Sequence, residues 1–232
     1  MANDLQIITP TAPELRKAGT LPSLPAWLIT RVKAVSEEMQ QDPEGFRDRL
    51  TLPKELMLTP DQRQAIEGHL RNLRSLLAQT SENNGECEAK TLLCLTKIFL
   101  ALPSRKSDET GTQAKAEAHM VALDDVPYWA VEAAARCWYR GTAGNDERGN
   151  PYDCSWAPAP ADLRRIALRI SSDLHVRIRE LERTLGAVEF VDCSKELERG
   201  RAAMHGLLRT LADGGDISAL TLEGAAEFGR KP

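Results

Sequence analysis

The chain contains no apolar run long enough to cross a bilayer. It has no cysteine pair at metal or redox spacing and no phosphate-binding loop of the GxxxxGKS/T kind. These gaps exclude a helical membrane protein, a zinc ribbon and a P-loop ATPase. The start, MANDLQIITP, has neither the basic nor the apolar region of a secretion signal, so a cytoplasmic location is expected. The cysteines, Cys87, Cys94, Cys137, Cys154 and Cys193, are odd in number and read as reduced thiols, not a disulfide framework. Strong excess charge is missing too. A net charge of −4 argues against coating nucleic acid by bulk attraction, although it leaves room for a local basic face.

Aromatic residues are scarce, at 5% of the chain, yet three of its four tryptophans fall between Val121 and Arg165. Hydrophobic residues at 42% and charged residues at 28% fit a globular protein with a real core. No strand pattern of convincing length stands out, so the expected class is all-α. The expected form is a helical bundle body followed by a long antiparallel helical hairpin.

The first 23 residues, proline-rich and without periodicity, read as a flexible arm. The helical body covers residues 24–141. Trp27, Leu28, Val32, Val35 and Met39 recur at helical spacing over 26–40, and a short helix is expected over 43–50. Thr59, Pro60 and Gln62 form a strong helix start, with a capping box and proline at the first position. Ile66, Leu70, Leu73 and Leu77 then draw one apolar stripe. The helix near 87–102 is apolar almost all round, which predicts enclosure by other helices. A moderately amphipathic helix follows over 113–123. Asp125 is placed to cap the next helix, which carries Pro127, Trp129 and Trp138, with Gly141 just past its end.

Residues 142–157 form a polar loop of unusual length, the kind that is functional or disordered. From Pro160 a helix is expected to about Val188, with Leu163, Ala167, Ile170, Leu174, Ile178, Leu181 and Leu185 facing inward. A partner helix over 194–212 presents Leu197, Met204, Leu207, Leu208 and Leu211. Together they make the hairpin of 158–213, and 214–232 is a short helix and frayed tail.

Arg165, Arg169, Arg179 and Arg183 share the face opposite the apolar stripe of the long helix and extend over roughly 27 Å. That is the scale of several phosphates along a nucleic-acid backbone. The pairs 165/169 and 179/183 are like charges at i,i+4, an arrangement that weakens an isolated helix and hints at a partner. The competing reading is a solvated face, since Asp162, Asp173, Glu180 and Glu182 flank the stripe. Trp138 sits at core spacing. Trp129 lies off the main stripe and Trp156 lies in the loop, so both are candidates for partner contact.

The remaining chemistry is thin. His69, His119, His175 and His205 stand apart from one another and from the cysteines, so they read as solvated or helix-face residues and no metal or cofactor is expected. Cys137 and Cys154 have no histidine nearby in sequence, and Asp146, Glu147 and Asp153 lack EF-hand spacing. No catalytic residues are assigned and the chain is not expected to be an enzyme.

The segment DDVPYWAVEAAARCWYRG, a polar loop, then WAPAPADLRRIA resembles small DNA-replication proteins of phages and prophages. It is similar to the all-helical helicase-loader type that lacks an ATPase domain. Pro127, Trp129, Ala133, Trp138, Trp156, Pro158 and Pro160 carry the resemblance. It implies a non-enzymatic adaptor that binds a replicative helicase or another replisome protein, with DNA contact through the arginine face, and it brings no catalytic residue. The alternative is a self-associating structural or regulatory protein in which the hairpin forms a coiled-coil homodimer.

Overall fold

The computed structural model describes residues 6–18, 21–42, 45–103 and 109–212. In chain order these form α1 (Ala12–Ala18), α2 (Ala26–Ala34), β1 (Ser36–Asp42), β2 (Gly45–Leu52) and a 3₁₀ turn at Lys54–Leu56. They continue with α3 (Pro60–Leu77), α4 (Gly85–Ala101), α5 (Glu109–Leu123), α6 (Tyr128–Tyr139), α7 (Pro160–Gly186), β3 (Val188–Glu189) and α8 (Ser194–Ala212). About 64% of the chain is helical, but a three-stranded mixed sheet in the order β1-β2-β3 overturns the all-α expectation.

The correction falls where helices were expected over 26–40 and 43–50. The first helix stops at Ala34, where Val35 turns to extended backbone. Residues 36–42 and 45–51 then pair antiparallel from Ser36↔Thr51 to Asp42↔Gly45, and β3 adds parallel to Thr51 and Leu52. Strand propensity did not produce this ribbon, because SEEMQQD is poor in β-branched residues. Tertiary contacts hold it. Leu52 is fully buried, and its carbonyl accepts from Phe190 N at 2.8 Å. Gln40 Oε1 accepts from Val191 N at 3.1 Å, and Cys193 Sγ donates to the Met39 carbonyl.

The helical body is built around α6. Trp129, Ala130, Val131, Ala133, Ala134, Ala135 and Trp138 are all buried, and α1, α4 and α7 pack on it. Its alanines leave room for that close approach. Asp125 does not cap it: Pro127 occupies the cap position without a side-chain bond. Tyr128 N donates instead to the Gln79 carbonyl at 2.9 Å, which ties the start of α6 to the end of α3. The capping box of α3 forms as expected, with Gln62 N donating to Thr59 Oγ1 at 3.3 Å and Thr59 N to Gln62 Oε1 at 3.1 Å.

The hairpin expectation also changes. α7 packs along α6, α3, α5 and α2, so it is the spine of the body. Its stripe Leu163, Ala167, Leu174, Ile178 and Leu181 is buried within the chain, so that stripe packs on the body and not on a second α7. Among the described residues α8 makes no comparable packing with α7. Its Met204 and Leu208 are exposed, while the side chains of Leu207 and Leu211 lie outside the described residues. The tail expected at 214–232 lies outside them as well. Among the described residues no helix is long and apolar enough to cross a membrane.

Part of the expected N-terminal arm packs. Ala12 and Leu15 of α1 join the core, with Ile7 against it. Two histidines are core residues, not surface ones. His119 sits edge-on to Phe99 with centroids 5.0 Å apart, and its ring nitrogens lie 2.8 Å from the Lys115 carbonyl and 3.2 Å from that of Pro158. His69 is buried and hydrogen-bonded through Nδ1 to Thr9 Oγ1 at 2.8 Å.

Burial, helped by the positive charge of Arg177, pushes the His69 pKa down from 6.5 to about 4. Between those values the unfolded chain takes up a proton that the folded chain refuses, so stability falls as pH drops through this window. The loss is on the order of 1 kcal/mol per pH unit within that window. Urea titrations from pH 7 to pH 4 are expected to show this slope flattened in His69→Gln relative to the parent chain. Parallel pH dependences in the two proteins would contradict it.

Candidate functional site

The polar loop, residues 142–157, is an ordered lobe. Two glycines with positive φ bend it, Gly144 at 86° and Gly149 at 82°, and a third, Gly141 at 67°, leads into it. Asp146 closes the tip, its Oδ1 accepting from Arg148 N and Asn150 N at 2.8 Å each. These donors hold the Asp146 carboxyl below the usual carboxylate range. Tyr152 N donates to the Gly144 carbonyl at 3.2 Å, and the Tyr152 ring tilts against Trp138 at 5.4 Å. Trp138 Nε1 donates to the Trp156 carbonyl at 2.8 Å, and Ala157 N to the Pro103 carbonyl at 3.0 Å. The lobe is therefore fastened to α6 and to the end of α4.

The arginine face divides in two. Arg165 donates to Tyr152 Oη at 2.9 Å, to Asp162 at 3.1 Å and to Glu147 at 2.5 Å. Arg169 donates to the Ala143 carbonyl. Both clasp the lobe from α7. Arg179 and Arg183, further along the helix, are exposed and carry no side-chain partner among the described residues. Arg164, which the sequence reading passed over, pairs two-pronged with Asp125 and also donates to the Ala122 carbonyl at 2.7 Å. Asp125 thus anchors α7 to the α5–α6 turn, and the pairing lowers its pKa.

The tryptophans separate equally clearly. Trp129 is only 2% exposed, and its Nε1 donates to the Leu76 carbonyl at 2.9 Å. It is a core residue with no surface to offer a partner, because the face it occupies lies against α3 and not toward solvent. Trp138 is buried as its spacing indicated. Trp156 is 53% exposed on a backbone held at its own carbonyl and at the next amide. An indole fixed this way has already lost the backbone entropy that binding would otherwise cost.

Sequence reasoning missed one surface altogether. The helix expected to be enclosed on all sides, α4, buries Cys87, Thr91, Cys94, Leu95 and Ile98. It leaves Leu92, Leu93 and Leu100 in solvent, Leu93 at 54% and Leu100 at 83% exposure. Composition concealed this, because both faces are apolar. Only the phase of the helix separates them.

Among the described residues the cysteine thiols with shifted pKa are shifted away from activation. Burial pushes the Cys94 thiol up to about 12 and raises those of Cys87 and Cys154, the reverse of thiolate activation. Among the described residues no group of three or more histidine, cysteine or acidic side chains could hold a metal ion. Comparison of the chain with family models, curated proteins and solved structures found no match.

Gly144 is the most constrained point of the lobe. Its φ disfavours any side chain, and a Cβ would sit 2.8 Å from the Arg169 guanidinium. Gly144→Ala is expected to destabilise the protein by about 1–3 kcal/mol in urea unfolding. Gly149→Ala has the same sign of φ but open space around it, so it should cost less. Equal losses would show that backbone conformation alone matters and that the Arg169 contact does not.

Proposed function

We propose that the protein is a non-enzymatic adaptor of DNA replication that docks on a protein partner through the lobe bearing Trp156. The partner is a replicative helicase or another replisome component, engaged in the cytoplasm. The carrying observation is the half-exposed Trp156 on a backbone fixed from both sides. Exposed tryptophans are enriched among interface hot spots. The replication assignment comes from the resemblance of residues 124–167 to helicase loaders without an ATPase domain. Trp129 drops out of the docking surface because it lies in the core.

DNA contact is the secondary part of the reading and falls to Arg179 and Arg183. Arg165 and Arg169 already hold the lobe. Two arginines neutralise at most about two phosphates, so log K should fall with log salt at a slope near −1.8, and no steeper. Arg179→Ala with Arg183→Ala is expected to remove that binding. No measurable binding to single- or double-stranded DNA at low salt would end this part of the proposal.

The main test is a pull-down of replicative helicase by the full chain. Retention is expected, with affinity reduced about thirtyfold in Trp156→Ala, which corresponds to an interface residue of about 2 kcal/mol. The same substitution should change folding stability by no more than about 0.5 kcal/mol, as for other surface sites. Failure to retain the helicase, or equal retention by Trp156→Ala, would reject the reading.

A further inference from the structure

Residues 6–18 and 21–24 form a strap on the helical body. Within it α1 packs on α6, and Ala12, Leu15 and Leu24 are buried in the core. The hold is slight. α1 has seven residues, too few for a helix to persist once detached. A small cavity remains where Leu15 and Leu21 meet Trp129, Ile170 and Leu174. Two hydrogen bonds tie the strap down. Thr9 Oγ1 lies 2.8 Å from His69 Nδ1 of α3, and the Arg177 guanidinium of α7 donates to the Pro22 carbonyl at 3.2 Å. Short, lightly packed segments of this kind open while the rest of a protein stays folded.

The setting of His69 suits a neutral ring. The imidazole is buried, and burying an imidazolium without a counter-charge is costly. The strap supplies none near Thr9, since residues 6–13 are all uncharged. One turn away on α3 stand Ala65, Ile66, Asn72 and Leu73, again uncharged. From α7 comes Arg177, whose like charge adds to burial in keeping the ring neutral. Burial also works against the Arg177 charge, while Glu180 and Asp173, one turn to either side of it, favour that charge. Both ties of the strap therefore end on groups that repel each other once His69 takes up a proton. We propose that His69 is a proton-operated latch: the neutral ring holds the strap closed on α3 and α7, and protonation releases it while the helical body stays folded. This latch is separate from the docking role of Trp156.

The test is amide exchange on the full chain, corrected for the intrinsic pH dependence of the rates. The amides of Glu14 and Leu15 donate to the Thr11 carbonyl in the closed strap. They are expected to exchange faster than the amides of α6, because the strap opens without the body. Between pH 7 and pH 5 their opening constant should rise about twentyfold, the factor set by a His69 pKa of about 4 when closed and 6.5 when released. The rise begins as pH falls through the released value and levels off below the closed one. In His69→Gln it should vanish. Titration of the His69 ring by NMR in the parent chain needs no variant, and a pKa well below 6.5 is expected. Three results overturn the latch: Glu14 and Leu15 amides as protected as those of α6, a twentyfold rise that survives His69→Gln, or a His69 ring that titrates at its ordinary value.

Discussion

The structure hangs on the need to bury α6 and to satisfy what is buried with it. A twelve-residue helix enclosed on nearly every side satisfies its interior backbone groups internally. Its two tryptophans nevertheless bring indole N–H groups into the apolar interior, where an unpaired donor costs about 1–3 kcal/mol. Each is satisfied by a main-chain carbonyl from a different part of the chain. Trp129 reaches Leu76 near the end of α3, and Trp138 reaches Trp156 at the foot of the polar lobe. Those two bonds set where α3 stops relative to α6 and where the lobe returns to the body. The start of α7 follows from the second, because Pro160 comes only four residues after Trp156.

That arrangement gives the arginines of α7 their different fates. The like-charge pair Arg165 and Arg169 breaks a helix rule when the helix is taken alone. In the folded chain the repulsion is offset by Glu147, Asp162, Tyr152 Oη and the Ala143 carbonyl. The compensation is intramolecular, so this pair no longer asks for a partner. Arg179 and Arg183 lie two turns or more beyond the lobe, and among the described residues no side chain pairs with them. Their repulsion has no such offset, and they are the residues for which an outside anion remains a physical question.

Much of the helical plan was legible from residue spacing. The capping box at Thr59, the stripe of α3, the aromatic helix and the proline start of α7 all follow from local rules, and the structure agrees with them. The β1–β2 ribbon did not follow, since its sequence is polar and its support comes from residues about 150 positions away in the chain. A weak local signal did exist: Asp, Pro and Gly at 42, 43 and 45 are residue types that disfavour a continuing helix and favour turns. The exposed face of α4 stayed hidden because hydrophobicity alone cannot tell a helix buried all round from one with two separate apolar faces. For Trp129, helix phase was misleading in the other direction. Being off one stripe places a residue on a different neighbour, and here that neighbour is α3.

Trp129 and Trp156 together define what the aromatic segment can do. An indole that ties α3 to α6 cannot also leave for a partner without exposing the Leu76 carbonyl and opening the core. Trp156 is under less restraint, because the hydrogen bond it gives the fold comes from its backbone carbonyl while its side chain is half exposed. The two roles of the residue are chemically separate: the carbonyl fastens the lobe, and the ring is left over. A side chain whose removal leaves the fold's hydrogen bonds in place, while those bonds fix its backbone, can serve recognition at little cost to stability. Within this segment Trp156 meets that condition, and Trp129 and Trp138 do not.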